Sequence, residues 1–312
     1  MTGGRKLLFQ QLMVSVHMNL SLQSASGIMP TDKADPALVL LDSLLKSRFR
    51  FEAETWHDAH NRNGQQHYPA ELLLRATGAD GQAIKPLAPI TTISEAGLQA
   101  QFDKALILAG IHQALEEGLM PVSINTSARN IASADFWRGI SQMLRDNFSP
   151  EEIDGQITFE VLEDDLANNP CREVLLAMKR DMGCRFAIDD FYHDRARHIE
   201  DNDGIDSHDW TRLENLKGII DYVKIDGETV EAALNRQNRF DLEGLVNRIK
   251  TVVPQAHIIL ERIKDADQAH ALSHVADAVQ GLHLTKNRAD FQRDLVDAKH
   301  NFPPRPIEAK LF

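Results

Sequence analysis

The stretch Gly183-Cys184-Arg185-Phe186-Ala187-Ile188-Asp189-Asp190 decides the fold class. Residues 170–182 ahead of it carry helical spacing, and Gly183 supplies the left-handed residue that ends such helices. Arg185 to Ile188 is then a short apolar strand that stops at two acids. The same unit recurs on both sides. Pro121 to Asn125 reads as a strand after a helix over about 98–118 that ends at Gly118. Gln156 to Val161, Tyr222 to Ile225, His257 to Leu260 and Ala278 to Gly281 read as further strands. Helical stretches over 239–252 and 265–274 separate the later ones. Alternation of this kind predicts βαβ units and a parallel sheet. About seven strands in about 250 residues fit a closed TIM-like (β/α)8 barrel better than an open sheet.

Upstream, residues 37–49 have helical spacing, residues 51–60 read as a strand, and Asn61-Arg62-Asn63-Gly64 is a turn signal. Residues 1–36 read as an N-terminal extension, partly flexible, with a short helix. The barrel is expected over 37–290 and a tail over 291–312. The apolar start from Lys6 to Val14 superficially resembles a leader, but Gln10, Gln11 and His17 interrupt it.

The formal net charge is −12 and the pI about 5.5. That argues against a duplex DNA-binding face. It leaves open a small phosphorylated ligand held through metal ions, which reverse the local sign. The two cysteines, Cys171 and Cys184, make no disulfide framework and suit a reducing cytoplasm. No apolar run is long enough for a membrane span.

The chemistry lies at the strand ends. Val122-Ser123-Ile124 ends in Asn125, and Ile157-Thr158-Phe159 ends in Glu160 with Glu163 beyond it. Ile188 leads to Asp189-Asp190, Val223 to Lys224, Leu260 to Glu261 and Val279 to Gln280. A single acid after a strand is usually a helix cap. Six polar strand ends in one chain predict instead a site at the C-terminal face of the barrel. Carboxylates gathered there stay ionised only with cations between them. Hard oxygen donors with one amide, and no His or Cys, select Mg²⁺ or Mn²⁺ over zinc. His57, His60, His193 and His198 lack strand-end placement and read as solvated surface.

These residues resemble the EAL-domain phosphodiesterases. Glu71-Leu72-Leu73-Leu74-Arg75 is similar to the stretch that names the family. Ser123-Ile124-Asn125-Thr126-Ser127, Phe159-Glu160-Val161-Leu162-Glu163, Ile188-Asp189-Asp190-Phe191, Val223-Lys224-Ile225-Asp226, Leu260-Glu261-Arg262-Ile263-Lys264 and Gln280-Gly281 follow collinearly. The resemblance implies an EAL-type barrel with modified strand order at its start. It implies two-metal hydrolysis of cyclic di-GMP to linear 5′-pGpG. Glu71, Asn125, Glu160 and Asp189 would hold one ion, and Asp189, Asp190 and Glu261 the other. Lys224 would position the attacking water, Gln280 would order solvent, and Glu261 and Glu163 would belong to the catalytic set. Arg75, with Leu74 beside it, would meet the ligand and pair with a phosphate.

Three departures stand out. Family members have glycine after Asp-Asp-Phe; Tyr192 stands here, with a polar insert over about 198–209, within a rebuilt loop 192–215 that in the family supports metal binding and dimerisation. A Tyr in a positive-φ position is costly. Lys264 replaces the last Glu of the family's Ala-Glu-Gly-Val-Glu element. Leu282 to Lys286 lacks the usual proline. The alternatives to a working enzyme are a catalytically inactive EAL module serving as a cyclic di-GMP receptor or protein-interaction domain, and a metal-dependent phosphodiesterase for another substrate. A homodimer and a regulatory protein partner are compatible with either.

Overall fold

A computed structural model of the chain describes residues 3–60, 68–127, 130, 133–161, 171–192, 207–235, 240–281 and 284. Glu163, the 61–64 turn, most of the insert and the tail lie outside the described residues.

Nine strands form one sheet: β1 (Phe49–Asp58), β2 (Ala70–Thr77), β3 (Ala83–Ile84), β4 (Val122–Thr126), β5 (Ile157–Val161), β6 (Arg185–Phe191), β7 (Tyr222–Ile225), β8 (His257–Leu260) and β9 (Ala278–Gln280). The order is β1-β9-β8-β7-β6-β5-β4-β2-β3, and β1 also pairs with β2. Eight strands therefore close into a barrel, with β3 on its outer rim. β2 and β4 to β9 run parallel around the barrel, while β1 is antiparallel to both neighbours, β2 and β9. This is the TIM-like architecture predicted, with the modification at its start.

β2 carries no alternating pattern: Leu72, Leu73 and Leu74 follow one another. Leu72 is buried on the face toward the helices, where it packs by Gly110, and Leu73 and Leu74 are partly buried. The parallel strands are buried on both faces, apolar toward the helices and polar at their inward-facing ends. The helices are α1 (Gly3–Ala25), α2 (Thr31–Leu45), α3 (Leu87–Glu95), α4 (Gln99–Glu117), α5 (Ala134–Asn147), α6 (Pro150–Ile153), α7 (Arg172–Met182), α8 (Ser207–Asn215), α9 (Gly227–Leu234), α10 (Leu242–Val252) and α11 (Ala266–Leu272). Gly118 and Gly183 end α4 and α7 in the left-handed region. A Cβ at Gly183 would lie 2.5 Å from the Gly155 nitrogen, so glycine is required there for space as well as for φ.

The first helix is longer than the short one expected. Phe9, Met13, Val16 and Leu20 recur at helical spacing, and all four are buried in the same core as the strands. Between barrel and outer helices, Trp137 of α5 meets Phe159 and Phe186 edge-on at 5.2 and 5.8 Å. Inside the barrel a separate cluster of Trp56, Tyr68, Ala187, Tyr222, Ile259 and Ala278 forms an apolar floor. His57, expected at the surface, is instead buried, in β1.

Candidate active site at the barrel mouth

The C-terminal ends of the parallel strands converge on Lys224. Its side chain is 1% exposed. Its Nζ lies 3.2 Å from Glu71, 2.5 Å from Glu160, 2.6 Å from Asp189 and 2.9 Å from Glu261. It also stands 5.6 Å above the Trp56 ring, so the apolar floor closes the site from below. Around this ammonium the amides are ordered. Asn125 donates to Glu71 Oε1 at 2.6 Å and Gln280 donates to Glu71 Oε2 at 2.6 Å. Ser123 donates its hydroxyl to Glu160.

Asp189 and Asp190 are adjacent, and adjacent residues of a regular strand face opposite ways. Here the pairing of β6 with β7 shifts register between Ile188 and Phe191, and Asp190 takes φ +47. The irregularity lets both acids face the mouth, as bulges next to active sites do. Oxygens of Asp189, Asp190 and Glu261 lie within 4.8 Å of one another.

The rebuilt segment after β6 supports this strand from behind. Tyr192 does take the left-handed conformation, at φ +72. Its N–H donates to Asp209 at 2.8 Å, and its carbonyl accepts from Thr229 at 2.8 Å. Those bonds, with ring contacts to Phe191 and Phe240, offset a conformation costing on the order of 1–2 kcal/mol. Arg212 of α8, 1% exposed, donates to the Asp189 carbonyl at 2.7 Å. Across the mouth, Asp103 of α4 fixes the turn after β4, accepting from Ser127 N–H at 3.2 Å and from Asn130 at 2.6 Å.

The charge balance is lopsided. Burial pushes the Glu160 carboxyl well up, and Glu71 and Asp189 add to this against the pull of Lys224. Burial does the same to Glu261, with Asp189 and Asp190 reinforcing it. Burial disfavours the Lys224 ammonium, but Asp189, Glu160, Glu261 and Glu71 together hold it well above the ordinary lysine range. Glu54 of β1 joins the group: burial and then Glu71 raise its carboxyl. Six carboxylates around one ammonium leave room for further positive charge. Their all-oxygen donor set with the Asn125 amide suits a hard divalent ion.

Of the expected site residues, Glu71, Asn125, Glu160, Asp189, Asp190, Lys224, Glu261 and Gln280 come together. Arg75 and Leu74 stand apart from this cluster, which Arg75 reaches only through its charge on Glu54. They lie further up β2, lining a separate cavity of about 410 Å³, where Arg75 pairs with Glu52 at 2.9 Å. Lys264 points away, to Glu231 at 2.8 Å. Asp226 caps α9, accepting from Glu228 and Thr229 N–H. Glu54, Trp56, Asp103 and Arg212 were not anticipated.

Residues 41–200, just over half of the chain, match the family described as EAL domain, and the chain belongs to that family. It is 25% identical over 244 residues to the cyclic di-GMP phosphodiesterase PdeF of Escherichia coli strain K12, covering 75% of this chain and 29% of that protein's length. Its fold is similar to that of the FimX EAL domain from Pseudomonas aeruginosa bound to c-di-GMP. That pair has a TM-score of 0.64 and 21% identity, over 80% of this chain and 95% of the other. It is similar also to the PaMucR phosphodiesterase in its c-di-GMP complex, with a TM-score of 0.61 and 18% identity over 80% of this chain and 96% of the other. Among the described residues no helix is long and apolar enough to cross a membrane.

Proposed function

We propose that this chain is a metal-dependent phosphodiesterase that hydrolyses cyclic di-GMP to linear 5′-pGpG in the cytoplasm. The observation that carries the reading is the convergence of Glu71, Asn125, Glu160, Asp189, Asp190, Glu261 and Gln280 around buried Lys224. Glu71, Asn125, Glu160 and Asp189 would hold one Mg²⁺ or Mn²⁺ ion, and Asp189, Asp190 and Glu261 a second. Two such ions, when bound, supply Lewis acidity toward a phosphoryl group and lower the pKa of water. Gln280 and Asn125 hold the two Glu71 oxygens in place. The Lys224 ammonium keeps neighbouring carboxylates from repelling one another and would position the attacking water through hydrogen bonds, its proton being held by the surrounding acids. Arg75 would reach a ligand phosphate only by exchanging its Glu52 partner.

Incubation of the purified protein with cyclic di-GMP and Mn²⁺ should yield pGpG on chromatography. EDTA and Glu71→Ala should each abolish it, and Lys224→Ala should slow it severely. A receptor role is the second reading, favoured by the rebuilt segment that follows Asp190. Tight cyclic di-GMP binding without product would establish it in place of the enzyme.

A further inference from the structure

A cavity of about 500 Å³ opens beside the carboxylate centre, lined by Glu54, Glu231, Glu261, Arg262, Lys264 and Gln280. It shares Glu261, Gln280 and Glu54 with the centre, and it brings two cations to its edge. Arg262 follows Glu261 directly and sits at φ +55. Its stem lies across the start of α9: a Cβ at Gly227 would come within 2.2 Å of Arg262 Cδ. Its guanidinium is 3.9 Å from Glu228, with the side chain 54% exposed. Lys264 meets Glu231 at 2.8 Å, with its side chain 58% exposed. The family element that this stretch resembles has glycine and glutamate at these two positions, so both charges depart from it.

Exposed pairs of this kind contribute about 0–1 kcal/mol, so their cations exchange partners readily. The demand for them comes from the ligand. Two divalent ions would bring the six-carboxylate centre close to neutrality. A nucleotide with two phosphates would then draw its remaining countercharge from the rim. On the opposite side of the mouth Arg75 is held by Glu52, which also pairs with Arg50.

We propose that Arg262 and Lys264 form a binding subsite for the non-reacting phosphate of a two-phosphate nucleotide, releasing Glu228 and Glu231 to take it. The inference rests on the cyclic di-GMP reading above. Its test is calorimetric titration of the full chain in Ca²⁺ with two probes: cyclic di-GMP, with two phosphates, and bis(p-nitrophenyl) phosphate, with one. Glycine adopts φ +55 freely, so Arg262→Gly should fold. Arg262→Gly and Lys264→Gln should each weaken cyclic di-GMP binding about 5-fold, as expected for a partly exposed charged hydrogen bond. Together they should cost about 20-fold or more, with a clearly smaller loss for the one-phosphate probe. Lys264→Arg should keep most of the affinity. Unchanged cyclic di-GMP binding in the double variant overturns the subsite, and so does an equal loss for both probes, which would place the effect at the metal centre. Wild-type protein that fails to bind cyclic di-GMP overturns the parent reading and the subsite with it.

Discussion

Replacing Lys224 by methionine keeps most of the stem and removes the one cation that four carboxylates share. The ammonium lies between 2.5 and 3.2 Å from Glu71, Glu160, Asp189 and Glu261 and is 1% exposed. Removing one partner of a buried charged group costs about 3–5 kcal/mol, because the remaining charges stay buried and uncompensated. For a chain of this size, at about 2 °C per kcal/mol, Lys224→Met in EDTA should melt about 6–10 °C below wild type. Mn²⁺ should then do more for the variant than for the wild type, since Lys224 competes for the same oxygens. At a hundredfold excess over its Kd the ion contributes about 2.7 kcal/mol, enough to recover from about half to about nine-tenths of the loss. The assay is thermal denaturation of both proteins with EDTA and with Mn²⁺. A variant that melts with the wild type in EDTA would refute the reasoning, as would equal stabilisation of the two by Mn²⁺.

Three other outcomes follow from residues around the centre. Burial raises the Asp103 carboxyl to about 6, against hydrogen bonds from Asn130, Gln99 and Ser127. A raised acid stabilises the fold fully below its unfolded value near 3.8 and loses that stability as pH climbs to about 6, a swing on the order of 3 kcal/mol. Urea titrations should therefore show Asp103→Asn becoming less destabilising, relative to wild type, as pH rises from 4 to 6; parallel pH profiles would disprove the burial argument. Arg212→Met leaves the Asp189 carbonyl without its guanidinium, so calorimetry should find Mn²⁺ bound about 10-fold more weakly. An unaltered Mn²⁺ affinity would show that α8 does not hold the acids in place. Trp137→Ala should lower unfolding free energy by about 3–5 kcal/mol in urea, because a fully buried indole leaves a cavity between Phe159 and Phe186. A loss under about 1 kcal/mol would mean the site collapses around the gap.

The barrel was legible because parallel strands end where chemistry begins. Apolar runs stopping at Asn125, Glu160, Asp189 and Glu261 announce both strand and site. That rule fails for β1, which runs the other way. Glu54 stands in mid-strand opposite Glu71, and Trp56 opposite Gln280, so neither is flagged by a strand end. β2 escaped a periodicity reading because three leucines in succession, only the first of them fully buried, hide the alternation. Asp226 shows the other side of the rule, since an acid after a strand also caps the next helix. Asp103 and Arg212 act on the site through backbone atoms far away in the chain, a relation that spacing does not encode. Tyr192 illustrates a cost visible in sequence whose compensation is not: Asp209 and Thr229 become its partners only once the chain has folded.

The way Arg212 grips β6 has a consequence for how crowded the mouth can become. A carboxylate has a limited number of lone pairs, and an arginine fork readily consumes them. Arg212 takes hold of the peptide oxygen of residue 189 instead, from the rear. The guanidinium thus consumes neither carboxylate oxygen of the acid, one of which meets Lys224 at 2.6 Å. Anchorage and charge pairing are carried by two different ends of one residue.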